Sequence, residues 1–195
     1  MWWCPTGPFS FLPIHAAGIY DAEGTAAESV FDYVVSSYTP SLKSLLVDQP
    51  PIIDQFKMMV VIQPNSPNGN SLPYTKEELQ SIEKHVKNEF LVRLGIKDVP
   101  ATVQEVVSHL SSSHIIHFAC HGKQDAKNPL ESGLILHDGR LKVKEIMKQS
   151  TPNASLAFLS ACKTAMSAED LPDESVHLAA SLLFAGFRGV VATMW

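Results

Sequence analysis

Apolar positions along the chain follow two alternating rhythms. Largely apolar runs occur at Met58 to Ile62, Ile115 to Ala119, Leu134 to His137, Leu156 to Ser160 and Gly189 to Met194. Runs of this kind are the pattern of strands covered on both faces. Between them the spacing turns helical. Leu79, Ile82, Val86 and Phe90 follow the tetrad Thr75-Lys76-Glu77-Glu78, and Val103, Val106, Val107 and Leu110 sit on and behind Thr102-Val103-Gln104-Glu105. Each set predicts an amphipathic helix with one buried face. Each tetrad also reads as a capping box, in which the threonine hydroxyl accepts the glutamate amide and the glutamate side chain reaches back.

Weaker signals fill the remainder. Phe31 to Ser36 reads as a short strand. Thr39-Pro40 supplies an N-cap and a first-turn proline for a helix burying Leu42, Leu45 and Leu46. A short helix is expected near Lys142 to Lys148. Another, apolar nearly all round, is expected from about Glu174 to Ala185, with Gly186 at its stop. Pro5 to Pro13 and Pro64 to Pro73 are punctuated as loops. Strands alternating with helices predict an α/β layer fold around a largely parallel sheet. Short connections predict one domain over residues 1–195. Trp2-Trp3-Cys4 at one end and Val190 to Trp195 at the other read as core strands, so a fragment of a longer protein is expected.

Composition narrows the function classes. The 195 residues are 45% hydrophobic and 18% charged, which suits a globular domain with a real core. A net charge of −5 offers no basic face for nucleic acid. No apolar stretch approaches the roughly 20 residues that span a bilayer, and no basic run suggests a membrane surface. Met1 to Pro13 lacks a basic segment and does not read as a signal peptide. The odd, widely spaced set Cys4, Cys120 and Cys162 argues against a disulfide framework and for a reducing, cytoplasmic setting.

Chemistry is expected beyond the carboxyl ends of the parallel strands. One strand runs into Ala119-Cys120-His121-Gly122, another into Ser160-Ala161-Cys162-Lys163-Thr164. If both belong to one sheet, His121 and Cys162 leave at the same edge. A free thiol has a pKa near 8.5. A neighbouring imidazole favours the thiolate and can carry the proton onward. Gly122 lets backbone approach a substrate carbonyl, where its N–H could meet an oxyanion. Cys120 should alternate away into packing. His117 reads as a hydrogen-bonded sheet histidine. A metal site from His117, Cys120 and His121 is rejected, because the segment is a strand and turn with no second ligand pair. No phosphate-binding glycine loop or nucleophile-elbow pattern occurs.

The segments His117-Phe118-Ala119-Cys120-His121-Gly122 and Leu159-Ser160-Ala161-Cys162-Lys163-Thr164 resemble the two active-site motifs of CHAT domains. These are caspase-like domains associated with TPR repeats and related to separase. Asp173 to Ala180 and Ala185 to Trp195 resemble the family's late helix and strand. Trp2 to Pro8, with Leu12 to Gly18, resembles fungal members in particular.

The resemblance implies a three-layer αβα caspase-like fold, cut short at the C-terminus, and peptide-bond hydrolysis by a dyad falling on His121 and Cys162. It implies a protein or peptide substrate, possible TPR repeats in cis or on a partner, and neither metal nor organic cofactor. Asp21, Asp125, Asp173 and Glu174 are acidic candidates for a first specificity pocket favouring a basic residue before the cut. Each has an ordinary alternative as a solvated turn carboxylate, and Asp173 as an N-cap. Two rival functions remain: a catalytically silent interaction module, and an α/β hydrolase acting through Cys162 on an ester or thioester.

Overall fold

The computed structural model describes residues 1–46, 56–65, 71–125, 127–151, 153–160 and 178–192. In chain order the strands are β1 (Trp2–Trp3), β2 (Gly18–Tyr20), β3 (Ala26–Ser29), β4 (Ser37–Tyr38), β5 (Met58–Ile62), β6 (Leu91–Leu94), β7 (Ile115–Ala119), β8 (His121–Lys123), β9 (Gly133–Ile135), β10 (Arg140–Lys142), β11 (Leu156–Ser160) and β12 (Gly189–Ala192). The helices are α1 (Thr75–Glu83), α2 (Val103–Leu110), α3 (Val143–Ile146) and α4 (Leu178–Ala185).

Five strands form one sheet in the order β12-β11-β7-β5-β6, every neighbouring pair parallel. The first of them in the chain, β5, lies inside the sheet. The chain first adds β6 on one side of β5, then β7, β11 and β12 on the other. Strand order therefore reverses at β5, the kind of place where open α/β sheets leave a crevice. Sheet residues alternate between two cores. Met59, Val61, Ile116, Phe118, Ala157 and Leu159 pack with α2, α3 and α4, whereas Met58, Val60, Ile62 and Ala119 pack with Leu79 of α1. Helices thus cover both faces, as in an αβα caspase-like fold. A three-stranded antiparallel sheet, β10-β9-β8, carries on from β7.

Several expectations change. The helix over Leu79 to Phe90 ends at Glu83, and Leu91–Leu94 is a strand instead. The Thr75 capping box does not form. Tyr74 is the N-cap, Thr75 Oγ1 donates to Leu72 O at 2.8 Å, and the Glu78 side chain turns to the sheet. The Thr102 cap does form, accepting the Glu105 amide at 3.2 Å. Phe31 to Ser36 is a tight turn followed by irregular chain, with Val35 86% exposed. Leu42–Leu46 is a 3₁₀ segment with Leu42 and Leu46 in solvent, so no buried stripe forms there. Trp2–Trp3 pairs only with Ser37–Tyr38, and Trp2 is exposed, so this is no core strand. Residues 174–177 and 193–195 of the last predicted helix and strand lie outside the described residues.

Two glycines are required by the backbone. Gly186 has φ 114° and closes α4, its N–H donating to Leu183 O and that of Phe187 to Leu182 O. That is the paired bonding of a Schellman stop. Gly95 has φ 89°, and a Cβ there would lie 1.7 Å from the Ile62 carbonyl oxygen.

Phe118 is fully buried, whereas Phe9 is 62% exposed. Phe118→Ala should lower unfolding free energy by about 3–5 kcal/mol and Phe9→Ala by less than about 0.5 kcal/mol, read from urea titrations. Gly95→Ala should cost at least about 1–3 kcal/mol, since it combines a left-handed backbone with a backbone clash.

Candidate functional site

Register fixes where the strand ends point. β7 lies between β5 and β11, and Ala119 pairs with Ile62 on one side and Ser160 on the other. Just past Ile62, the Gln63 N–H donates to Ala119 O at 2.9 Å. The ends of these three strands thus lie level at one edge of the sheet. Beyond Ala119 comes Cys120, then His121, half-buried at the start of β8 and paired with Ile135. Gly122 follows, half-buried and opposite Leu134. Beyond Ser160 come Ala161 and Cys162. Cys162, Asp173 and Glu174 lie outside the described residues.

Cys120 is 1% exposed among the residues packed with α2 to α4, as its alternation predicted. Burial pushes its thiol up to about 12. A buried thiolate would lose its hydration without gaining a partner, so this sulfur stays protonated and inert. Cys4 is exposed.

On the opposite sheet face lies a polar cluster that the sequence reading had only half anticipated. His117 is 8% exposed, and its Nε2 lies 2.7 Å from Glu78 Oε2 of α1. The other oxygen of the same carboxylate, Oε1, accepts the Ser160 hydroxyl at 3.0 Å. The His117 ring stacks on Phe158, its cross-strand neighbour, with centroids 5.1 Å apart and planes 18° from parallel. A carboxylate accepts only, so a hydrogen on His117 Nε2 completes the pair. Leaving such a buried group unpaired costs about 1–3 kcal/mol. That is the physical reason Glu78 abandons its local cap.

The acidic pocket candidates are found in turns. Asp21 Oδ1 accepts the amides of Glu23 at 3.0 Å and Thr25 at 2.7 Å, between β2 and β3. Asp125 Oδ1 accepts those of Lys127 at 3.1 Å and Asn128 at 3.0 Å. A cavity of about 460 Å³ opens at the carboxyl ends of β5 and β6, lined by Gln63, Asn65, Gly95, Asp98, Ala101 and His137 among others. Its carboxylate among these residues is Asp98, four residues beyond β6; no element was expected between Phe90 and Thr102, so the sequence did not single it out. Among the described residues no cluster of histidine, cysteine and carboxylate is arranged to hold a metal, and no helix is long and apolar enough to cross a membrane.

The Cys120 thiol sets a pH dependence. Its folded pKa lies above that of an ordinary exposed thiol. Its contribution is therefore complete below about pH 9 and is lost as pH climbs toward 12. The stability gap between wild type and Cys120→Ala, measured by urea titration, should narrow from pH 8 to pH 11.

A family model described as the CHAT domain matches residues 1–195. No curated protein matches the chain. The match runs through both strand-end segments and the whole sheet that carries them, and the family is a caspase-like one: the chain belongs to the CHAT domain family.

Proposed function

We propose that this chain is a cysteine endopeptidase in which Cys162 is the nucleophile and His121 its proton carrier. The observation carrying the reading is the register of β7 and β11. Ala119 and Ser160 are ladder partners, and His121 and Cys162 each stand two residues further along their chains. Two residues reach at most about 7 Å, and neighbouring strands lie about 4.8 Å apart. These distances support the reading that the sulfur and the imidazole can reach one another.

The chemistry follows. The imidazole of His121 takes the Cys162 proton, and the thiolate attacks the scissile carbonyl carbon. Negative charge gathers on the former carbonyl oxygen, where the Gly122 N–H can donate. The carbon–nitrogen bond breaks as His121 returns the proton to the leaving amine, leaving a thioester. Water, deprotonated by His121, attacks that thioester and frees the new carboxylate and the thiol. Every proton moves between groups of this chain, substrate and water, and no metal or organic cofactor takes part.

The substrate is a protein or peptide, met in the cytoplasm. An acidic first pocket, built from among Asp21, Asp125 and Asp173, favours a basic residue before the cut. Asp98 joins them as a candidate because it lines the cavity at the neighbouring strand ends. The TPR association and the likeness to fungal members belong to this same reading, as does a place within a longer protein whose repeats recruit the substrate.

A peptidyl acyloxymethyl ketone with arginine next to the warhead tests the reading by mass spectrometry of the 195-residue chain. Cys162 should be alkylated, Cys120 spared, and Cys4 modified only slowly. His121→Ala should slow the Cys162 reaction by about 100-fold or more, the usual scale for a positioned acid–base group. Equal rates at Cys4 and Cys162 would sink the proposal.

A further inference from the structure

The cavity at the carboxyl ends of β5 and β6 is tied to His121 from two sides. On one side Gln63 lines it, and the Gln63 N–H donates at 2.9 Å to the carbonyl of Ala119, two residues before His121. On the other side His137 lines it, two residues past Ile135, the ladder partner of His121. Two residues span at most about 7 Å, and paired residues lie at most about 5.5 Å apart. The Cα atoms of His121 and His137 are therefore within about 13 Å of each other. A long side chain on a peptide held at His121 reaches the cavity. The His137 N–H in turn donates to Ala101 O at 2.9 Å, which joins two of the walls.

The walls offer acceptors. Gln63 is 5% exposed. Its Nε2 donates to Asn65 O at 2.7 Å, and a carbonyl only accepts, so the side-chain oxygen is the atom left over. That Oε1 has no partner among the described residues, and a buried acceptor of this kind calls for a donor. Asp98 stands in the turn Ile96 to Val99, closed by the Val99 N–H on Ile96 O at 3.2 Å and by the Gly95 N–H on Val99 O at 2.8 Å. It takes φ 69° there, and among the described residues nothing bonds its carboxylate. The lining residues described include no lysine or arginine. Nor does α2 offer its first-turn amides to an anion: those of Val103 and Glu105 already go to Asp138 Oδ1 at 2.9 Å and Thr102 Oγ1 at 3.2 Å. Asp21 and Asp125, by contrast, each already accept two amides of their own turns.

We propose that this cavity receives the basic side chain before the cut, with Asp98 as the specificity-determining carboxylate and Gln63 Oε1 as a second acceptor. This rests on the peptidase reading above and selects Asp98 from its acidic candidates. Two acceptors on separate walls suit a guanidinium, whose five N–H donors diverge in one plane, better than a compact ammonium. Arginine is therefore preferred to lysine.

Binding and labelling test it on the full 195-residue chain. In ¹⁵N–¹H NMR titrations, N-acetyl-arginine amide should give saturable shifts at the amides of Gly95, Ile96, Asp98 and His137. N-acetyl-citrulline amide keeps the shape without the charge and should bind at least about tenfold more weakly, the scale of one lost charge-assisted bond. Asp98→Asn should abolish that difference, and asparagine accepts the same left-handed backbone. In parallel, alkylation of Cys162 by the arginine acyloxymethyl ketone should slow at least about tenfold in Asp98→Asn. Alkylation by iodoacetamide, which has no side chain to place, should stay unchanged. Cys162 reacting no faster than Cys4 with either reagent would overturn the peptidase reading, while the arginine titration reports on the cavity separately. Three results would overturn the pocket itself: no arginine shifts at the cavity residues, equal binding of arginine and citrulline, or His121-dependent ketone labelling that is indifferent to Asp98→Asn.

Discussion

Parallel strands cannot be joined by tight turns, so their alignment is set by side chains alone. β7 is the strand where this matters most, because it is paired along its full length with β5 and with β11. Side chains alternate faces with a period of two, so a slip of one residue would exchange the two faces. Phe118 would leave the core with α2 and α4, and His117 would enter it without a partner. The apolar demand of Phe118 and the polar demand of His117 therefore specify the same register. That register alone brings Ala119 level with Ile62 and Ser160 at one edge of the sheet.

The face that carries His117 shows how a polar group is kept inside a largely apolar sheet. His117 lies next to Phe118 and Cys120 in sequence, yet points to the other layer, where α1 brings a carboxylate. Glu78 satisfies His117 and Ser160 at once, so a single charged side chain closes two hydrogen-bonding requirements on adjacent strands. Phe158 covers the ring from its own strand. An isolated capping box is worth about 1 kcal/mol. A buried imidazole and hydroxyl left unpaired would together cost more than that, so the tertiary demand wins.

The same competition explains which parts of the fold were legible in sequence. The runs Met58 to Ile62, Ile115 to Ala119 and Leu156 to Ser160 match their strands to the residue, because burial on both faces leaves no ambiguity of period. β6 was hidden for the opposite reason. Phe90 extends the helical spacing, and Arg93 interrupts the apolar run, its half-buried side chain pairing with Glu83 of α1 at 2.6 Å. Leu42, Leu45 and Leu46 satisfied a local helical rule with no core to face. The strands of two to four residues in the first 46 positions, β8 and β10 are too short to print any period, whereas β9 showed as the apolar run Leu134 to His137. As for the site, His121 and Gly122 were placed at a strand end by the apolar run before them. The Glu78 contacts could not be read, because they join residues 39 and 82 positions apart and its sequence neighbourhood has a sufficient local explanation.

Cys120 shows what the sheet's core does to a reactive group. A side chain on β7 has two destinations, the core with α2 to α4 or the layer with α1, and both remove it from water. In the first, a thiol is driven to about 12 and cannot ionise near neutral pH. Nucleophilic sulfur needs the opposite environment, with an imidazole and solvent at hand. The carboxylate of Glu78 instead serves the other layer, tying His117 in the middle of β7 to Ser160 at the end of β11.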